Sequence, residues 1–143
     1  ANVLLRFAGG ARGAMTVSQV SPGRKNRLWI EVDGAHDALA WCNEAPDDLW
    51  IGHRGRASEL SQRDPGLLSP LAQRSTWHPG GHAEGFPDTF RALYRAVYAD
   101  VAAGGPSEHP DYPTFADGLA QALVGDAVLA SAASGAWADV APV

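Results

Sequence analysis

At 143 residues, with 45% hydrophobic and 19% charged side chains, the chain has the composition of one globular domain and not of a disordered segment. A formal net charge of −5 leaves no basic footprint for nucleic acid or an anionic membrane, and no apolar run approaches the ~20 residues that span a bilayer. The single cysteine, Cys42, excludes an internal disulfide and suits a reducing compartment.

The first half reads as strands. Val3 to Phe7 alternates in polarity, Gly9-Gly10 turns the chain, and Ala11 to Ser21 continues with Met15 and Val17 on one face. Leu28, Ile30 and Val32 alternate with Trp29, Glu31 and Asp33 until Gly34. Shorter candidates follow at 38–43, 49–53 and 58–62, separated by Gly, Pro, Asn and Asp as in hairpin turns. An antiparallel meander is the natural reading.

The stretch 64–85 holds three Pro and four Gly and has no period. A structureless stretch of that length inside a domain is more often functional than idle. Helices follow. Pro87 and Asp88 open a run in which Phe90, Leu93, Tyr94, Val97 and Val101 keep helical spacing, and Gly104-Gly105 stops it. Thr114 and Asp117 form a capping-box pattern ahead of a stripe made by Phe115, Leu119, Leu123, Ala127 and Ala130. Trp137 to Val140 is a candidate last strand. Strands first and helices later predict an α+β domain over 1–143.

Areas then suggest a partner. Six strands ~4.8 Å apart make a sheet roughly 29 Å wide, and two helices cover one face of it at best. If Ile30, Val32, Leu49 and Ile51 point toward the helices, Trp29 and Trp50 point away, onto a face that a partner covers. The alternative is another register, or two singly exposed tryptophans.

The chemical inventory is sparse. No G-x-G-x-x-G follows a strand, and Gly9 to Gly13 joins strand to strand, as a hairpin does. His78 and His82 are four apart, but Pro79-Gly80-Gly81 between them forbids the helix a zinc pair would need. His82, on a flexible Gly80-Gly81 hinge just before a helix start, is read as either a surface histidine or a donor to a ligand hydroxyl or phosphate. Arg24, Lys25 and Asn26, at the entry to the third strand, are either a solvated hairpin end or donors for a polyhydroxylated or carboxylated ligand.

Whole phrases carry a resemblance. They are Leu5-Arg6-Phe7, Gly10 to Gly13, Ser18 to Ser21, Gly23-Arg24-Lys25-Asn26, Ile30 to Gly34, Leu49 to His53, Pro79 to Asp88 and Tyr112 to Gly118. Together they resemble the C-terminal domain of the glucose–fructose oxidoreductase, inositol dehydrogenase and rhizopine-catabolism family. One departure lies after Gly34, where Ala35-His36-Asp37 replaces the family's usual second glycine.

The resemblance implies a two-domain enzyme that moves hydride between a sugar or polyol carbon and NAD or NADP. An upstream Rossmann domain would hold the cofactor, and an open sheet would carry the substrate wall and a dimer or tetramer contact. The family's catalytic lysine, in an E-K-P motif, and its D-x-x-x-H pair have no counterpart here. The chain is therefore expected to be an inactive fragment that binds no cofactor by itself. The start at Ala1, without methionine and directly on a strand, points the same way. By the same alignment Arg24 and Asn26 face the substrate with Lys25 between them, and His82 points into the cleft; the family's contact through the free sheet face agrees with Trp29 and Trp50 pointing toward a partner. A cytoplasmic location is expected, and arginine in place of lysine nearly throughout suggests a GC-rich bacterial source. A regulatory sugar-binding protein of the same fold is the alternative.

Overall fold

The computed structural model describes all residues from Ala1 to Val143. Its order is β1 (Asn2–Arg6), β2 (Arg12–Thr16), β3 (Trp29–Asp33), β4 (Asp37–Cys42), β5 (Asp48–His53), β6 (Glu59–Gln62), α1 (Pro70–Gln73), α2 (Phe86–Ala103) and α3 (Phe115–Ser134). This is an α+β architecture in which every strand pair is antiparallel. The six expected strands all form. They make two hydrogen-bonded sheets, β1-β2 and β3-β4-β5-β6, where one broad sheet was expected. Residues 137–140 form no strand, and α1 falls in the stretch that showed no period.

Two compact units divide the chain, one made of 1–22 and 106–143, the other of 23–105. In the first, Val3 and Leu5 alternate with exposed Leu4 along β1. They line a cleft of about 630 Å³ together with Val124, Val128 and Trp137. The Arg6 guanidinium stacks over the Trp137 ring at 3.8 Å. Helix α3 begins with a full capping box. The Thr114 hydroxyl accepts from the Asp117 amide at 3.4 Å, and the Asp117 carboxylate accepts from the Thr114 amide at 2.7 Å. Those bonds from Thr114 hold the Asp117 carboxyl below its usual range. The sheltered stripe of α3 runs through Ala120, Leu123, Val124, Ala127 and Val128, which leaves Phe115 and Leu119 in solvent.

The second unit is built on the four-stranded meander. Register places Trp29, Glu31, Ala40, Trp50, Gly52 and Leu60 on one face and Ile30, Val32, Leu39, Trp41, Ile51 and His53 on the other. Trp29 and Trp50 thus share a face, as the alternation predicts. They are 49% and 38% exposed. Between them Ala40 is buried.

The opposite face ends in charge. The His53 ring, with its side chain only 7% exposed, places Nδ1 2.6 Å from Asp37 and Nε2 2.6 Å from Glu59. Arg56 also binds Glu59, and that guanidinium first, then His53, holds the Glu59 carboxyl below its usual range. This cluster ties β4 to β5 and β6.

Helix α2 shelters Ala92, Leu93, Ala96 and Val97 and exposes Phe90, Tyr94 and Val101, so its stripe is rotated from the expected one. Gly104, at φ +93°, ends it in the left-handed conformation that glycine adopts at least cost.

Candidate functional site

Antiparallel pairing brings several distant segments to one end of the four-stranded sheet. Trp29 opposes Cys42, Trp41 opposes Leu49, and Asp48 opposes Gln62. The residues before β3, the β4–β5 turn and the residues after β6 therefore share this end. Three inter-strand steps of ~4.8 Å separate its borders, about 14 Å in all.

Arg24, Lys25 and Asn26 lie at the β3 border. Asn43, in the β4–β5 turn, holds them in place. Its amide nitrogen donates to the Asn26 carbonyl at 2.9 Å, and its side-chain oxygen accepts from the Leu28 amide at 2.7 Å. Arg24 binds Glu44 at 2.8 Å, and Arg27 approaches the same carboxylate at 3.8 Å. Asn26 adopts φ +60°, a left-handed conformation rare outside glycine and tolerated by asparagine. The backbone carbonyl of Asn26 is thus occupied while its side chain is exposed, as is that of Lys25.

His82 lies at the β6 border, on a turn whose fixity the sequence does not suggest. The His82 amide donates to the Pro79 carbonyl at 3.2 Å, and Gly81, at φ +79°, supplies the positive φ that a type II turn requires at its third residue. Gly80-Gly81 is a closed turn, not a hinge.

Arg63, the residue after β6, fixes that turn from below. Its Nε donates to Asp47 at 2.6 Å, Nη1 to the His78 carbonyl at 3.1 Å, and Nη2 to the carbonyls of His82 at 2.6 Å and Pro79 at 3.4 Å. The bond to Asp47 raises the Arg63 pKa above its ordinary value. Glu84 completes the frame by accepting from the amides of Trp77 at 2.5 Å and His78 at 2.6 Å. Trp77 in turn lies under Arg91 and Arg95 of α2, at 4.6 and 5.9 Å.

The sequence reading named Arg24, Lys25, Asn26 and His82 and missed Arg63, Asp47 and Glu84. Only Glu84 had a signal, as part of the Pro79–Asp88 phrase.

No residue of this end forms a nucleophile–base pair, and no group of three His, Cys, Asp or Glu is placed to hold a metal. Gly9 to Gly13 closes the β1–β2 hairpin, through bonds from Phe7 to Ala11 at 3.1 Å and from Gly10 to Phe7 at 2.9 Å. No helix N-terminus follows that turn to receive a pyrophosphate.

Residues 1–140 match the family described as oxidoreductase family, C-terminal alpha/beta domain. Levoglucosan dehydrogenase of Pseudarthrobacter phenanthrenivorans is 28% identical over 143 residues, covering 96% of this chain and 35% of that protein. The structure of a levoglucosan dehydrogenase in complex with NADH and levoglucosan superposes with a TM-score of 0.84 at 26% identity, over 98% of this chain and 38% of that one. An oxidoreductase from Sinorhizobium meliloti gives 0.81 at 31% identity, over 88% and 36%. The chain thus spans a little over a third of the length of these relatives. With sequence match and superposition in agreement, the chain belongs to the oxidoreductase family of the glucose–fructose oxidoreductase and inositol dehydrogenase type, as its C-terminal α/β domain.

Proposed function

We propose that this chain is the substrate-side and assembly part of an NAD(P)-dependent oxidoreductase that moves hydride between a neutral sugar or polyol and the nicotinamide. The observation that carries this reading is the convergence of the Arg24–Asn26 segment and the His82 turn on one end of the β3–β6 sheet. Neutrality of the ligand is supported by the pairing of the guanidinia there. Arg24 and Arg27 are matched by Glu44 and Arg63 by Asp47, so a phosphate would meet carboxylates beside every cation but Lys25. Hydroxyls are served by amide and imidazole donors at less desolvation cost. Cofactor binding and proton transfer belong to residues outside this chain, and the Trp29–Trp50 face is the contact of a homo-oligomer.

The test is reduction of NAD or NADP by the full-length protein with levoglucosan and inositol as probes. Binding of a probe without nucleotide reduction under any condition would leave a sugar-responsive binding protein in place of the enzyme. The isolated chain itself is expected to bind neither nucleotide. Calorimetric titration checks this, and saturable micromolar binding would contradict the division of labour.

Within the site, His82→Ala and Asn26→Gly are expected to raise KM about ten- to a hundredfold, with kcat changed much less. Glycine is the better probe at 26 because it removes the carboxamide yet accepts φ +60°. Loss of kcat at constant KM in His82→Ala would place the histidine in the chemistry instead.

A further inference from the structure

We propose that Arg63 is a positioning residue, which sets the posture of the Pro79–His82 turn for ligand recognition. The inference rests on the dehydrogenase reading above and adds a residue to it. All three guanidinium nitrogens are engaged, with the carbonyls of His78, Pro79 and His82 and the Asp47 carboxylate, and Nη1 also lies 3.9 Å from the Glu84 carboxylate. Asp47 orients the fork from the strand side, and the Arg63 amide donates back to the Asp47 carbonyl at 2.7 Å.

The side chain is 12% exposed, and its bonds to Asp47 and the His78 carbonyl are partly buried, so those two compete less with water than the exposed bonds of Nη2 to Pro79 and His82. Lysine cannot reproduce them. An ammonium is a single point of charge and does not reach Asp47 and carbonyls on both arms of a turn together. Without the fork, the carbonyls of His78 and His82 lose their donors on Arg63, and the turn keeps its own amide bond, the long 3.4 Å contact of His82 Nδ1 with the Gly80 carbonyl and the Glu84 contacts. His82 then samples orientations that do not face the ligand, and recognition weakens by the cost of restoring one.

The experiment measures amide exchange and steady-state kinetics on the full-length protein, with levoglucosan and inositol as probes. In Arg63→Ala, exchange at Trp77, His78 and His82 is expected to rise at least about tenfold while β4 and β5 keep wild-type protection. KM for the oxidised probe should rise about tenfold with kcat within about threefold. Arg63→Lys should recover only part of both changes. Unchanged KM with a loosened turn overturns the positioning role and leaves the enzyme reading intact. Exchange that rises equally through β4 and β5 also overturns it, since Arg63 would then hold the fold and not the turn. If the wild type oxidises neither probe, the enzyme reading fails on its own, and local against global exchange still decides what Arg63 orders. Should R63A not fold, Arg63→Lys and Glu84→Gln are read by the same criteria.

Discussion

Replacing Gly52 by alanine is expected to destabilise the protein by about 1–3 kcal/mol, and prior removal of the Trp50 ring is expected to abolish that cost. The two residues lie two apart on β5 and on the same face of the sheet. The Trp50 indole folds back along its own strand over Gly52. A Cβ at position 52 would stand 2.3 Å from Cη2 of that ring and within 3.0 Å of two more of its atoms. No such contact is tolerated, so either the ring swings away from position 52 or the strand shifts. Glycine here serves close approach and not backbone conformation, because its φ is not positive. In a Trp50→Ala background the space is open. Gly52→Ala then only restricts the unfolded chain, and should be neutral or stabilising by about 0.4–1 kcal/mol. Denaturant unfolding of the four proteins of this cycle checks it. A cost of equal size in both backgrounds would show that the ring is not the cause.

That pair illustrates what was legible in the sequence. Period-two alternation from Trp29 to Asp33 and from Leu49 to His53 is a local signal, and it placed both tryptophans on one face before any register was known. Thr114 and Asp117 are three apart and announced the start of α3 for the same reason. The helical stripes were displaced, since Phe90, Tyr94 and Phe115 fit the period yet point to solvent. Periodicity records spacing and not what lies opposite. The frame of the His82 turn was illegible for a different reason. Arg63 is 16 residues from Asp47 and up to 19 from the carbonyls it holds, and a single arginine after a strand looks like any surface charge. Gly80-Gly81 read as a hinge because glycine signals freedom; here the same freedom supplies one positive φ inside a hydrogen-bonded turn.

The protein carrying this chain is expected to be a homo-oligomer in solution, and Trp50→Asp is expected to weaken the assembly by at least about 30-fold in Kd. The face concerned is apolar at its centre. Small residues Ala38, Ala40 and Gly52 let the Trp50 ring lie down, and Leu60 beside it is 57% exposed. Trp29 stands at the β3 border, where the Arg27 guanidinium sits 5.1 Å from its ring. Glu31, Asp33 and Asp48 provide polar groups around this centre. An apolar centre with a polar rim is the anatomy of a protein contact, and aromatic residues near the middle of such contacts carry most of their energy. An aspartate in place of Trp50 would bury an unpaired charge in every copy of the interface, which adds to the loss of the ring. The opposite face also exposes Ile30, Val32 and Leu39, but the Asp37–His53–Glu59 cluster with Arg56 charges one end of it, and the prediction is made for the tryptophan face. Light scattering of the wild type and Trp50→Asp across a concentration series provides the measurement. A wild type that stays monomeric at the highest concentration, or a variant whose mass matches an oligomeric wild type throughout, would move the contact away from this face.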